Sequence, residues 1–163
     1  MPGRAVINAG PLVALSLVGR LDLLQALFSE FWIPSAVYRE VAVDGLGRPG
    51  ADALSAAEWQ GRVSAAPEPD PLLVAELDRG EAEVIALCLD KRPCLAVIDE
   101  KRGRRIASRI YGLPVKGTAG LVVEARRRGL LDDVAGTLHA LRAAGYYLSD
   151  AVVEAACRAA DSG

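Results

Sequence analysis

The run Cys94-Leu95-Ala96-Val97-Ile98 constrains the fold more than any other segment. Uninterrupted apolar residues over so short a length suit a strand buried on both faces, as in the middle of a parallel sheet. The run stops at Asp99. In open parallel sheets ligands gather at the carboxyl ends of the strands, so a polar residue that ends such a run is a first candidate for chemistry. Ala5-Val6-Ile7 repeats the pattern and stops at Asn8, with Pro11 placed to sit in the first turn of a following helix.

Helical spacing fills the intervals. Pro11 to Val18 and Leu21 to Phe28 predict two short helices split at Gly19, and Phe31-Trp32-Ile33 predicts a strand. Ser35 is placed to cap a helix carrying Val37, Glu40 and Val41 on one face. Residues 44–71 turn to Gly, Pro, Ala and isolated charges and read as a variable excursion, with a helix over 51–59 and a short strand over 62–65. Beyond it come a buried helix from Glu81 to Leu89, the Cys94–Ile98 strand and a basic helix from Lys101 to Ile110. A short strand over 113–115, a helix from Gly117-Thr118 to Arg128, and C-terminal helices within 132–160 complete the chain. Strands alternating with helices predict one α/β domain over 1–163, a three-layer α/β/α arrangement about a central, mostly parallel sheet.

Composition narrows the function classes. With 52% hydrophobic and 25% charged residues over 163 positions the chain is an ordered globular protein, and 5% aromatics make its core aliphatic. A net charge of −2 supplies no global pull toward nucleic acid, so such binding would need local basic patches. Cys88, Cys94 and Cys157 form no paired framework. The start is too brief for a signal peptide, and the apolar runs fall short of the roughly 20 residues of a membrane span. The expectation is a cytoplasmic protein. Gly45 to Gly50 fits GxGxxG literally, but it follows a helix, and Pro49 lies where a nucleotide-binding helix should begin. His139 has no companion at metal-ligand spacing, which speaks against a zinc site or a catalytic triad.

The acids are more informative. Glu40 lies on the same helical face as apolar residues, and Glu81 opens a helix that otherwise looks buried. No Lys or Arg shares those faces, and a buried carboxylate needs a partner. Three carboxylates and one amide brought together would suit a hard divalent cation. Each residue also has a plainer reading. Asp99 could cap the helix that follows it, Glu81 could be stabilised by a helix dipole, and Glu40 could be a surface residue if the helical phase is one position off.

Several segments together resemble the PIN-domain family, in a branch similar to the ribonuclease toxins of toxin–antitoxin pairs. They are Val6 to Leu15, Gly19 to Leu24, Ile33 to Val41, Leu77 to Glu83, Val97-Ile98-Asp99 and Gly117 to Gly120, in that order. The resemblance implies a Mg2+- or Mn2+-dependent ribonuclease, with RNA as substrate, a small antitoxin as partner and a homodimer as the assembly. It places the family's four metal-site and catalytic positions on Asn8, Glu40, Glu81 and Asp99, with Glu83 competing for the third. The first of these is normally an acid, and the small hydroxyl residue often found two positions later is Gly10 here. An amide can ligate magnesium but brings no charge and cannot act as a general base, so the site is expected to be weakened. Lys101, Arg102 and Arg105, with Arg104 and Arg109, follow Asp99 as candidate phosphate contacts, and Arg126-Arg127-Arg128 is a second basic patch. Thr118 would hold a phosphate or simply cap its helix. The alternative is a catalytically weak binding module for RNA or an antitoxin. The Leu- and Ala-rich segments around Leu12 to Leu27 are expected to supply the dimer face.

Overall fold

The computed structural model describes residues 1–162. Its centre is a five-stranded sheet in the order β3-β2-β1-β4-β5, parallel throughout. Strand β1 (Arg4–Ile7) is the middle strand, with β2 (Glu30–Pro34) on one side and β4 (Leu95–Val97) on the other. The outer strands β3 (Val63–Ser64) and β5 (Val115–Lys116) are two residues each. Short edges leave few backbone groups open to pairing with another chain.

Between β1 and β2 run α1 (Ala9–Leu17) and α2 (Asp22–Leu27). Helix α3 (Ser35–Tyr38) follows β2 and widens into a π-helical turn over Arg39–Val43. The 44–71 excursion contains α4 (Ala51–Leu54) and α5 (Ala57–Gln60), two short helices where one was expected. Sequence reading passed over α6 (Pro71–Glu76), although its start is locally encoded: Pro71 occupies the first turn and Asp70 accepts the Leu72 N–H at 3.0 Å. Helix α7 (Arg79–Asp90) packs against β1, β2 and β4 and against α3.

After β4, α8 (Lys101–Arg105) continues into a second π-helical turn, Ile106–Ile110. Strand β5 leads to α9 (Thr118–Arg127), which packs with α10 (Val134–Ala143), α11 (Asp150–Ser162) and α1. The result is a three-layer α/β/α architecture, as the alternation predicts.

A single hydrophobic cluster runs from Ala5 to Ala156 through the sheet and both helical layers. Leu12, Leu15, Leu23, Leu24 and Leu27 belong to this core. These five side chains are used inside the monomer, whereas Val13, Leu17, Val18 and Leu21 of the same segments are only partly buried. No described helix is long and apolar enough to cross a membrane.

Candidate nuclease site

The carboxyl ends of β1 and β4 lie side by side, with the Asn8 N–H donating to the Val97 carbonyl at 3.0 Å. Asn8 is the N-cap of α1, yet its side chain makes no capping hydrogen bond although the residue is only 7% exposed. Its amide is held at the strand end without use in the helix it precedes.

Asp99 lies beyond β4, and its environment was only half anticipated. It does cap a helix, but not the one that follows it. One carboxylate oxygen accepts the Thr118 backbone N–H at 2.6 Å, and the other accepts the Thr118 hydroxyl at 2.7 Å and the Tyr146 hydroxyl. Asp99 thus satisfies the N-terminus of α9 across the β4–β5 edge. Burial, then the adjacent Asp99 charge, pushes the Tyr146 hydroxyl well above its ordinary value, so it stays a donor. Thr118 is wholly enclosed by this arrangement and faces Asp99 rather than an open surface.

Two glycines permit the approach. A Cβ at Gly117 would lie 2.6 Å from an Asp99 carboxylate oxygen and 2.5 Å from the Arg104 guanidinium. A Cβ at Gly10 would lie 2.8 Å from the Tyr146 hydroxyl. The family's small hydroxyl residue is missing at position 10, and Tyr146, from the turn between α10 and α11, delivers a hydroxyl into that space instead.

A second acidic group surrounds the start of α7. Glu81 is 4% exposed, and its N–H is capped by the Asp78 carboxylate at 2.8 Å. Burial, then hydrogen bonding with Glu100, then the charges of Asp78 and Glu100 push its carboxyl up to about 8. Among the described residues no Lys or Arg pairs with it, and a proton does the work of a counter-ion. Glu83 differs: it accepts the Ala36 N–H at 3.1 Å and the Arg79 Nε–H at 2.7 Å, tying α7 to the start of α3 as a neutralised structural carboxylate. Of the two competing acids, Glu81 faces Asp78 and Glu100.

Glu40 sits further out than its helical face suggested, on the exposed rim. The π-helical turn alters the phase of α3 and brings a Glu40 carboxylate oxygen to 3.2 Å from where a Cβ of Gly80 would be. Loss of hydration, then the charges of Asp78 and Asp44, raises its carboxyl above the ordinary value.

The four expected positions therefore have different surroundings. Glu81 lies with Asp78 and Glu100, Glu40 lies near Asp78 and Asp44, and Asp99 is engaged by Thr118 and Tyr146, with Asn8 at the neighbouring strand end. Among the described residues no three His, Cys, Asp or Glu side chains converge where one metal ion would sit. A cage built wholly of protein carboxylates does not fit. The Glu81 and Glu100 pair does suit magnesium, which is commonly held by one or two carboxylates and completed by water and substrate phosphate.

An open groove of about 1070 Å³ leads away from Asp99 and Glu100, between the ends of β4 and β5 and the helices α9 and α11. Lys101 and Arg104 are among its lining residues. Arg102 is turned away into an ion pair with Glu76, and Arg105 is exposed outside the groove. Of the second basic patch, Arg128 is occupied by Glu124 and the Leu27 carbonyl, while Arg127 reaches the groove. Sequence reading missed Glu100, Asp78, Tyr146 and Tyr147.

A parallel α/β/α sheet with an amide and carboxylates at the carboxyl ends of its central strands is the architecture of a nuclease-type class. The chain belongs to the PIN-domain family, whose model matches residues 4–162. PIN domains generally depend on divalent metals. No match was found among curated proteins or among solved structures.

Proposed function

We propose that this protein is a divalent-metal-dependent ribonuclease of PIN type with a weakened site, acting as the toxin of a toxin–antitoxin pair. The observation that carries the reading is the buried Glu81 carboxyl beside Glu100, without a cationic side chain, at the carboxyl edge of a PIN sheet. Burying unpaired carboxylates is costly, and such an arrangement is retained where a cation is to be received.

Glu81 and Glu100 would hold magnesium or manganese, with Asp78 fixing the Glu81 backbone and Glu40 adding charge from the rim. When bound, the ion stabilises the charge that develops on a phosphodiester during cleavage. Lys101 and Arg104 flank the opening and would neutralise neighbouring phosphates. Asn8 contributes an amide oxygen but no charge and no basic group, and this is the physical source of the weakness.

Asp99 favours a second reading. Its carboxylate is saturated by donors from Thr118 and Tyr146. A site short of both Asn8's charge and a free Asp99 would suit a module that binds RNA or an antitoxin and hardly cleaves. Cleavage of a mixed RNA pool with magnesium or manganese separates the two. The enzyme reading expects metal-dependent cleavage that is lost in Glu81→Gln and raised in Asn8→Asp. Wild-type cleavage no higher than that of folded Glu81→Gln would sink it in favour of the binding module.

A further inference from the structure

The groove beside Asp99 carries more than the catalytic edge needs. Its volume, about 1070 Å³, is at or above the upper end of the roughly 300–1,000 Å³ typical of small-molecule pockets, and it is not closed over. That favours a ligand larger than a small metabolite. Lys101, Arg104, Lys116 and Arg127 come from three different elements, α8, β5 and α9, and meet along this one channel. Lys101 and Arg104 make no salt bridge among the described residues, Lys116 is near enough to Glu124 to favour its ionised form without a salt bridge to it, and Arg127 has only a 3.7 Å contact with Glu124. Asp99 and Glu100 are the acids of the lining, with Lys101 and Arg104 close to them in sequence, and Lys116 and Arg127 add further basic groups to the same groove.

Tyr147 stands at the rim, 84% exposed, the most exposed large apolar side chain described. Its neighbour Tyr146 is inserted toward Asp99, so the same turn that engages Asp99 also fixes the backbone that carries Tyr147 outward. An exposed aromatic beside a basic track is the combination that binds single-stranded nucleic acid: cations follow the phosphates, and a base stacks on the ring. The wall formed by Val123, Val152 and Ala155 gives unpaired bases a dry side.

We infer that the groove between α9 and α11 is the path of a single RNA strand leaving the catalytic edge, with Lys116 and Arg127 on its phosphates and Tyr147 stacked on a base. The inference rests on the ribonuclease reading for the identity of the strand, but its test is a binding measurement that needs no cleavage.

Labelled single-stranded RNA of mixed sequence would be titrated with the full-length protein in EDTA, by fluorescence anisotropy at several salt concentrations. Tyr147→Ala, at so exposed a position, should leave folding intact and weaken binding roughly tenfold, with Tyr147→Phe restoring it. Lys116→Ala should reduce the slope of log affinity against log salt by about 0.7. A duplex of the same length should bind more weakly, because paired bases cannot reach the ring. If RNA binds but neither Tyr147→Ala nor Lys116→Ala changes its affinity, the strand runs elsewhere, the groove is left to a protein segment, and the inference is overturned while the ribonuclease reading survives. Tyr147-dependent binding without metal-dependent cleavage has the opposite meaning: the strand path stands and the enzyme reading falls. No RNA binding at all overturns the strand path, while metal-dependent cleavage still decides the ribonuclease reading.

Discussion

Replacing Glu81 with Gln should stabilise the metal-free protein, and only at neutral to alkaline pH. Between 4.5 and about 8 the folded protein keeps the Glu81 proton while the unfolded chain releases it. Unfolding is then favoured progressively as pH rises, and above 8 the full penalty is present. Each pH unit across that interval is worth about 1.4 kcal/mol, which sets an upper bound of ~5 kcal/mol. Coupling to Glu100 divides the effect between two carboxyls, so the Gln variant should gain about 2 kcal/mol at pH 9. For a chain of this size that is a rise in Tm of about 4–8 °C. Gln keeps the shape of the side chain and can donate to the Glu100 carboxylate. Thermal unfolding of both proteins in EDTA at pH 5 and pH 9 makes the test. The gap should be wide at pH 9 and nearly closed at pH 5. An equal gap at both values, or a less stable variant at pH 9, would falsify the account of Glu81 as a buried acid without a counter-ion.

Magnesium should raise the wild-type Tm at pH 8 and leave Glu81→Gln unmoved, with EDTA reversing the effect in a thermal scan. Gly117→Ala places a Cβ 2.6 Å from an Asp99 oxygen and should cost about 1–3 kcal/mol in urea unfolding; a neutral result would mean that the Asp99 and Thr118 contact is not held. Tyr146→Phe removes a hydrogen bond to a carboxylate and should cost about 1.5–3 kcal/mol, yet increase metal-dependent cleavage by loosening Asp99. Reduced cleavage would show instead that Tyr146 holds Asp99 in its useful position. Gly10→Ser should destabilise the wild type by crowding the Tyr146 hydroxyl, and a double-mutant cycle in urea should show the cost largely relieved in a Tyr146→Phe background.

Much of the fold was legible because its signals are local. The Ala5–Ile7 and Cys94–Ile98 runs gave the central strands, and alternation with helical spacing gave the parallel arrangement. Boundaries slipped where the signal was short: β5 begins at Val115, not Leu113, since a two-residue edge strand carries almost no periodicity. Within the site, Asp99 and Glu81 stood out because each interrupts an apolar context. Glu100 was hidden by its position between Asp99 and a basic helix, where no apolar context marks it. Tyr146 was invisible for a different reason, being 47 residues from Asp99 along the chain with nothing local to mark it. The inward phase assigned to Glu40 assumed an unbroken α-helix, and the π-helical turn over Arg39–Val43 displaces it to the rim.

The contact between Glu83 and the Ala36 N–H has a mechanical consequence. It fastens the start of α7 to the start of α3, so Glu81 and Glu40 are carried on one bracket. Asp99 is mounted on another, made of the β4 end, α9 and the α10–α11 turn, and the seam between the two is where α7 packs against β4. Anything that grips both brackets at once, such as a strand lying across the edge, acts as a clasp over that seam. Hydrogen exchange at the ends of β1 and β4 should therefore slow on RNA binding.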